Sequence, residues 1–170
     1  GTFLDAALYI RDFLVQEGYE IINDSTVVEF VQQRIQDQQP SVVVFPSQLF
    51  PVSLLNDTTE AALLRQYLNA GGKVVYLNTP APFAYARDPN TNQITGLQFS
   101  RMRKVVGIPY PGDNSFTFGG FYRADATPEG TKMGLHGWWI NACAVDIKYV
   151  STVLALDEQG KASAWIKNYG

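Results

Sequence analysis

Residues 41–80 constrain what this chain can fold into more than any other segment. Ser41-Val-Val-Val-Phe45 is a near-continuous apolar run, the pattern of a strand covered on both faces. Asp57, with Glu60 three residues on, makes a variant capping box for a helix carrying Leu63, Leu64, Tyr67 and Leu68. Gly71-Gly72 supplies a left-handed stop, and Lys73 to Leu77 follows as a second buried strand. Strand, helix, glycine stop and strand, in that order, predict a parallel pair joined by a right-handed crossover. In such domains chemistry is placed after the carboxyl ends of the strands, which here means Pro46-Ser47-Gln48 and Asn78-Thr79-Pro80.

Upstream of this unit, Phe3, Ala7, Ile10 and Phe13/Leu14 recur at helical steps, predicting a helix over 3–17 that stops near Gly18. Tyr19-Glu-Ile-Ile22 reads as a short strand. Asp24 or Ser25 is positioned to cap a second helix over 25–38, whose Val27, Val28, Val31 and Ile35 share a face until Gln39-Pro40 ends it. The capping box places the third helix over 58–70.

From Pro80 onward the texture turns to Pro, Gly, Asn and aromatics without a helical period, as in an elaborated loop region or an antiparallel extension. Phe116-Thr-Phe118 and Trp138-Trp-Ile140 read as short strands, and Val145 to Tyr149 alternates weakly. Thr152 to Asp157, the turn Glu158-Gln-Gly160 and Lys161 to Lys167 predict a hairpin with glycine at its left-handed position.

A chain of 170 residues suits one domain with a single core and needs no disulfide or metal for stability. A net charge of −3 and a pI near 5.1 argue against a nucleic-acid footprint. The densest basic run, Arg101-Met-Arg103-Lys104, is expected on a solvated edge. Cys143 stands alone, which excludes an intrachain disulfide. No apolar stretch approaches the roughly 20 residues of a membrane span. No charged-then-apolar leader opens the sequence, so any signal is expected to have been removed already.

The stretch Leu64-Arg-Gln-Tyr-Leu-Asn-Ala-Gly-Gly-Lys-Val-Val-Tyr-Leu77 resembles the helix and strand that lead to the nucleophile elbow in the class I glutamine-amidotransferase-like superfamily. The closing stretch from Val153 to Gly170 is similar to the late hairpin of its non-amidotransferase branches, which include domains attached to bacterial β-galactosidase-like and other carbohydrate-active proteins. The likeness covers about half the chain. It implies a single α/β domain over residues 1–170, a flavodoxin-like three-layer sandwich with a mostly parallel sheet and an irregular or antiparallel C-terminal elaboration. In catalytic members a cysteine follows the strand corresponding to Val74–Leu77, where this chain has Asn78 or Thr79, so the nucleophile does not carry over. The pattern also implies a strand before the first helix and another after Gly170, making the expectation a fragment completed by neighbouring sequence.

His136 and Cys143 are the only histidine and cysteine, and a thiol–imidazole pair is one route to an activated nucleophile. Their spacing of seven sets them on opposite faces of an extended segment and on one face only of a helix, which Gly134 and Gly137 oppose. Among the apolar neighbours in Ala142-Cys-Ala-Val145 the thiol is expected to be structural. Ser47 and Thr79 are expected to cap strand ends rather than to attack. Asp88-Pro-Asn90-Thr-Asn92 copies the start of a calcium loop, but Gln93 and Phe99 replace the glycine and the glutamate such a loop needs, so a polar turn is expected. Asn23-Asp-Ser25 and Asn56-Asp-Thr58 match the glycosylation sequon while coinciding with helix caps.

The aromatics Tyr85, Tyr110, Phe121-Tyr122 and Trp138-Trp139 lie beside Arg87, Arg123, Asp125 and Asn141, a mixture suited to stacking on and hydrogen bonding to a sugar ring. The resulting expectation is a non-catalytic α/β module that binds a ligand, carbohydrate being the favoured class, or that packs against flanking domains or further copies of itself. No cofactor, metal, nucleic acid or membrane enters this reading. The ligand cleft is expected among Ser47, Gln48, Asn78 and Thr79, with walls from Tyr85, Arg87 and one of the two tryptophans, Trp138 first. The competing expectation is a hydrolase or transferase using His136 with Cys143, or carboxylates such as Asp125 and Glu129.

Overall fold

The computed structural model describes residues 3–47, 49–77, 83–88, 90–91, 93–109, 121–141 and 144–170. The amino-terminal half runs α1 (Phe3–Gln16), α2 (Thr26–Asp37), β1 (Val42–Phe45), β2 (Leu49–Pro51), a 3-10 turn (Val52–Leu55), α3 (Leu63–Asn69) and β3 (Lys73–Tyr76). It continues with β4 (Phe83–Arg87), β5 (Ile94–Gln98), α4 (Phe99–Val106), β6 (Phe121–Ala126), α5 (Pro128–Lys132) and β7 (Trp138–Asn141). A 3-10 turn (Ile147–Tyr149), β8 (Thr152–Asp157) and β9 (Ala162–Ile166) complete it.

β1 and β3 pair in parallel with Val42 opposite Lys73 and Phe45 opposite Tyr76, and α3 lies between them in the chain, as the sequence predicts. Gly71 takes φ +90° at the stop, while Gly72 is pressed against the Tyr67 ring, where a Cβ would collide with it. Tyr67 is fully buried, and its hydroxyl pairs with Ser41 Oγ at 2.9 Å. The helix is thereby tied to the start of β1 by a buried aromatic whose polar end is satisfied.

Among the described residues no clear flavodoxin-like sandwich stands out, while the expected antiparallel C-terminal elaboration is present as a four-stranded sheet. The protein is a mixed α/β structure with, among the described residues, three sheets: the parallel pair β1–β3, a three-stranded sheet ordered β2-β4-β5, and a four-stranded antiparallel sheet ordered β7-β6-β8-β9. β2 and β4 are parallel and β4 and β5 antiparallel. Tyr19–Ile22 forms no strand; Tyr19, Ile21 and Ile22 are exposed, and the segment finds no pairing partner among the described residues. A strand without a ladder does not hold in water, whatever its β propensity. Nor are β1 and β3 covered on both faces. Val43, Phe45, Val74 and Tyr76 turn to the core, while Val42, Val75 and Leu77 remain exposed on the other side.

Two caps differ from expectation in the same way. Asn23 Oδ1 accepts from the backbone N–H groups of Ser25 and Thr26, both at 3.0 Å, whereas the Ser25 side chain caps nothing. Asn56 Oδ1 accepts from Leu63 N at 2.8 Å, so α3 starts five residues later than the Asp57–Glu60 box predicts. Asp57 instead closes a local turn with Thr59. In both Asn-Asp-Ser/Thr triplets the asparagine does the capping, because its side chain reaches forward to the orphan donors.

The core gathers Val27 and Val31 of α2, Val43, Phe50, Leu54, Leu55, the apolar face of α3, Val105, Val106 and Ile108. Rings link it to the carboxyl-terminal hairpin: Phe45–Phe50 at 4.3 Å, Phe50–Tyr76 at 5.6 Å and Tyr76–Trp165 at 5.8 Å between centroids. Arg65 lies 4.8 Å from the centroid of the Tyr169 ring, whose hydroxyl donates to Val106 O at 2.7 Å.

The predicted hairpin forms as β8 and β9, with Gly160 at φ +74°, and Trp138–Asn141 is a strand as expected. Val145 makes a single bridge to Ala162, and the predicted alternation to Tyr149 is replaced by a 3-10 turn. α4 and α5 occupy the half read as free of helices; they are short, eight and five residues, and stand among Pro, Gly and aromatics. Arg103 and Lys104 are exposed on α4, the solvated edge expected of that run. Asp88 accepts from the N–H groups of Asn90 and Thr91, giving the polar turn; these bonds lower its carboxyl below the usual range. Phe116–Phe118 and Cys143 lie outside the described residues.

Thr127 caps α5 and binds it to β8. Its backbone N–H and hydroxyl donate to Leu154 O at 2.9 and 3.2 Å, and the hydroxyl also to Val153 O at 2.8 Å. Gly130 is in contact with Leu154 so close that any Cβ there would overlap the carbonyl oxygen.

Candidate functional site

A cleft of about 300 Å³ opens at the carboxyl end of β1. One wall is the approach to α2, Ile22 to Asp24 with Val27; the other is Val43 to Ser47. Leu49, Pro51, Tyr85 and Ile94, from the three-stranded sheet, close the remaining side. The strand order explains the geometry. β2 follows β1 almost at once and pairs with β4, so Tyr85 is carried to the end of β1 although the two strands belong to different sheets.

Tyr85 is buried, and its hydroxyl donates to Asp24 Oδ1 at 2.7 Å, bridging the rim from β4 to α2. Ser47 Oγ accepts from Leu49 N at 3.2 Å, so the serine caps the turn between β1 and β2, the role expected for it. The lining is mainly apolar, and Asp24 is its one charged member. With an acidic rim and no Lys or Arg in the wall, the site favours neutral or cationic groups over anions. Its volume is at the lower end of that of small-molecule pockets.

Of the residues expected to form a site, Ser47 and Tyr85 are brought together here. Gln48, Asn78 and Thr79 lie outside the described residues. Arg87 is on β4 two positions beyond Tyr85, with its side chain outside the description. Trp138 is on β7, half-buried opposite Ala124, and contributes nothing to the cleft. Asn23, Asp24 and Ile94 line the cleft without having been singled out for it; the Asn23-Asp24-Ser25 triplet drew notice only as a cap.

Of the groups of the competing enzyme reading, Cys143 lies outside the described residues. His136 is exposed in the connection from α5 to β7. Asp125 is exposed and ion-paired to Arg123, and Glu129 lies in the first turn of α5, also exposed. Among the described residues no group of three or more His, Cys, Asp or Glu is placed to hold a metal ion, and no helix is long and apolar enough to cross a membrane.

A second feature is apolar surface. α1 makes little contact with any other element, and none of its described side chains is buried. Tyr9 is 75% exposed and Phe13 52%, with Leu8 and Val15 also exposed. The model of one protein family, described as the MJECL34 family, matches residues 5–170. No curated protein and no solved structure matches the chain.

Proposed function

We propose that this chain, which belongs to the MJECL34 family, is a non-catalytic α/β module that works by packing against a second copy of itself through α1. One observation carries the reading: α1 leaves Tyr9 and Phe13 exposed, together with Leu8 and Val15, and buries no described side chain. At the 3.6-residue helical period, Ala7, Ile10 and Leu14 share one side, Leu8 and Val15 lie about 120° round from it, and Asp5, Asp12 and Gln16 face away. Antiparallel stacking of α1 on its symmetry mate through Tyr9 and Phe13 buries apolar side chains that a single copy leaves open. Sedimentation equilibrium tests this directly. The unaltered chain is expected to be a dimer, and Leu8→Glu with Phe13→Glu to yield a folded monomer. A monomeric unaltered chain at micromolar concentration removes the reading.

A distant relation to the glutamine-amidotransferase-like superfamily belongs to the same proposal. The parallel unit β1–α3–β3 with its glycine stop supports it, and Asn78 or Thr79 in place of a cysteine supports the non-catalytic role.

The cleft favours a second reading, the binding of a small neutral ligand, because Tyr85, Asp24 and Ser47 set polar atoms in an otherwise apolar wall. Crystals soaked with mono- and disaccharides, and binding measured for Asp24→Ala, test it. Equal affinity in the variant and the unaltered chain excludes this site.

A further inference from the structure

We propose that the outward face of β6 and β7 is a binding platform for the pyranose ring of a neutral glycan, with Trp139 as the stacking residue and Arg123–Asp125 as the hydroxyl-binding pair. The platform shares no residue with the cleft or with α1. It goes beyond the proposed self-packing and stands or falls independently of it.

The register builds it. Arg123 is directly opposite Trp139, and Phe121 opposite Asn141, so Phe121, Arg123 and Asp125 of β6 share a face with Trp139 of β7. The alternate positions point inward, where Ala124 is fully buried and Trp138 half-buried. Phe121 and Trp139 are diagonal neighbours, which in an antiparallel pair sets their backbones about 7–8 Å apart with the rings within reach of one ligand. Phe121 is 72% exposed and Trp139 64%. Most of each residue's surface is left open, and two large exposed aromatics at diagonal positions mark a contact surface.

The polar groups decide what that contact is. Arg123 Nε donates to both carboxylate oxygens of Asp125, at 3.0 and 3.2 Å, and Nη2 lies 2.9 Å from Oδ1. The guanidinium is held in one plane with its charge neutralised, and its Nη1 donors remain available beside a carboxylate acceptor. Gly137 keeps the pair uncovered: a Cβ there would lie 2.7 Å from Asp125 Oδ1 and 3.2 Å from Arg123 Nη2. A sugar hydroxyl is both donor and acceptor and matches such a pair, while the apolar C–H face of the ring matches indole. A protein partner is the poorer fit, since Asp is depleted in protein interfaces and here Asp125 is held by Arg123, the residue directly opposite Trp139. An anionic glycan is disfavoured by the Asp125 carboxylate and the chain's net charge of −3.

The test uses the whole chain in native gels cast with soluble neutral polysaccharides, namely starch, galactomannan, xylan and mixed-linkage β-glucan. It is accompanied by NMR of the indole N–H groups during titration with glucose, galactose, mannose and N-acetylglucosamine. Retardation in at least one gel and a shift of the Trp139 indole are expected. Trp139→Ala should abolish the retardation and Phe121→Ala weaken it about tenfold, with Tyr85→Phe at the cleft leaving it unchanged. Both platform side chains are exposed, so their removal leaves the fold intact, which an amide spectrum verifies. No retardation in any gel and no indole shift overturns the proposal, as does retardation that survives in a folded Trp139→Ala protein.

Discussion

Tyr76 and Trp165 meet edge to face, their centroids 5.8 Å apart and their planes inclined at 65°. Tyr76 ends the parallel pair and Trp165 lies on the last strand of the antiparallel sheet, two sheets with no shared ladder. The contact therefore does by ring packing what hydrogen-bonded strands do elsewhere. Trp165→Ala is expected to cost about 3 kcal/mol, the lower end for loss of a large core aromatic. Urea unfolding followed by circular dichroism measures it; a loss under about 1 kcal/mol would show that the two halves are held together by something else.

Gly71 and Gly72 are predicted to respond differently to alanine. At Gly71 nothing lies within 4 Å of an added Cβ, and the cost is that of the left-handed backbone, about 1–2 kcal/mol. At Gly72 the Cβ runs into the Tyr67 ring, which is fully buried and pinned at its hydroxyl to Ser41. Overpacking of this kind costs about 3 kcal/mol or more. Thermal melts should rank Gly72→Ala below Gly71→Ala, and the reverse order would contradict the packing described.

Asn23, rather than Asp24 or Ser25, is the residue whose loss should loosen α2. Its side-chain Oδ1 accepts from Ser25 N and Thr26 N, and its backbone N–H donates to Thr26 Oγ1 at 2.9 Å. Asn23→Ala is expected to lower stability by about 1 kcal/mol. Ser25→Ala should change it by no more than a few tenths, because the Ser25 side chain is not the cap. Equal losses in the two variants would return the cap to the serine.

Alkaline unfolding is expected to depend on Tyr76 and Tyr169. Burial raises the pKa of each phenol, with Tyr169 adding to the shift at Tyr76 and Arg65 opposing it at Tyr169. Since the folded-state values exceed the unfolded value of about 10, the contribution is complete below that pH and is lost as pH rises toward the raised values. Stability followed against pH should fall above about pH 10. Tyr169→Phe should flatten part of that fall while losing the bond to Val106 O. An unchanged alkaline slope in Tyr169→Phe would rule out its share.

The local units in this chain were legible and their assembly was not. The β1–α3–β3 unit and the final hairpin follow from apolar runs bounded by Gly71-Gly72 and Gly160, signals that act within a dozen residues. The division into three sheets depends on which strand Leu49–Pro51 joins, and three residues ending in proline give no sign of a parallel partner at Phe83–Tyr85. The cleft inherits that difficulty. Ser47 was visible as a strand-end residue, but Asp24 enters the site only because Tyr85 reaches it across a sheet boundary. On β7 the two adjacent tryptophans must point to opposite faces, and the register alone shows that the outward one, Trp139, is opposite Arg123.

The attachment of α5 to Leu154 bears on how the hairpin finds its alignment. Between Val153 and Ala155 the pairing with β9 skips, and at that skip the carbonyls of Val153 and Leu154 are taken up by Thr127. Gly130 lies over the same carbonyl with no room for a side chain. A slip of β8 by one residue would reverse its two faces, strip Thr127 of its acceptors and place a different peptide group beneath the glycine. The irregularity thus works as an index mark: strands that could slide freely on their alternation alone are stopped at one setting by a helix less than two turns long.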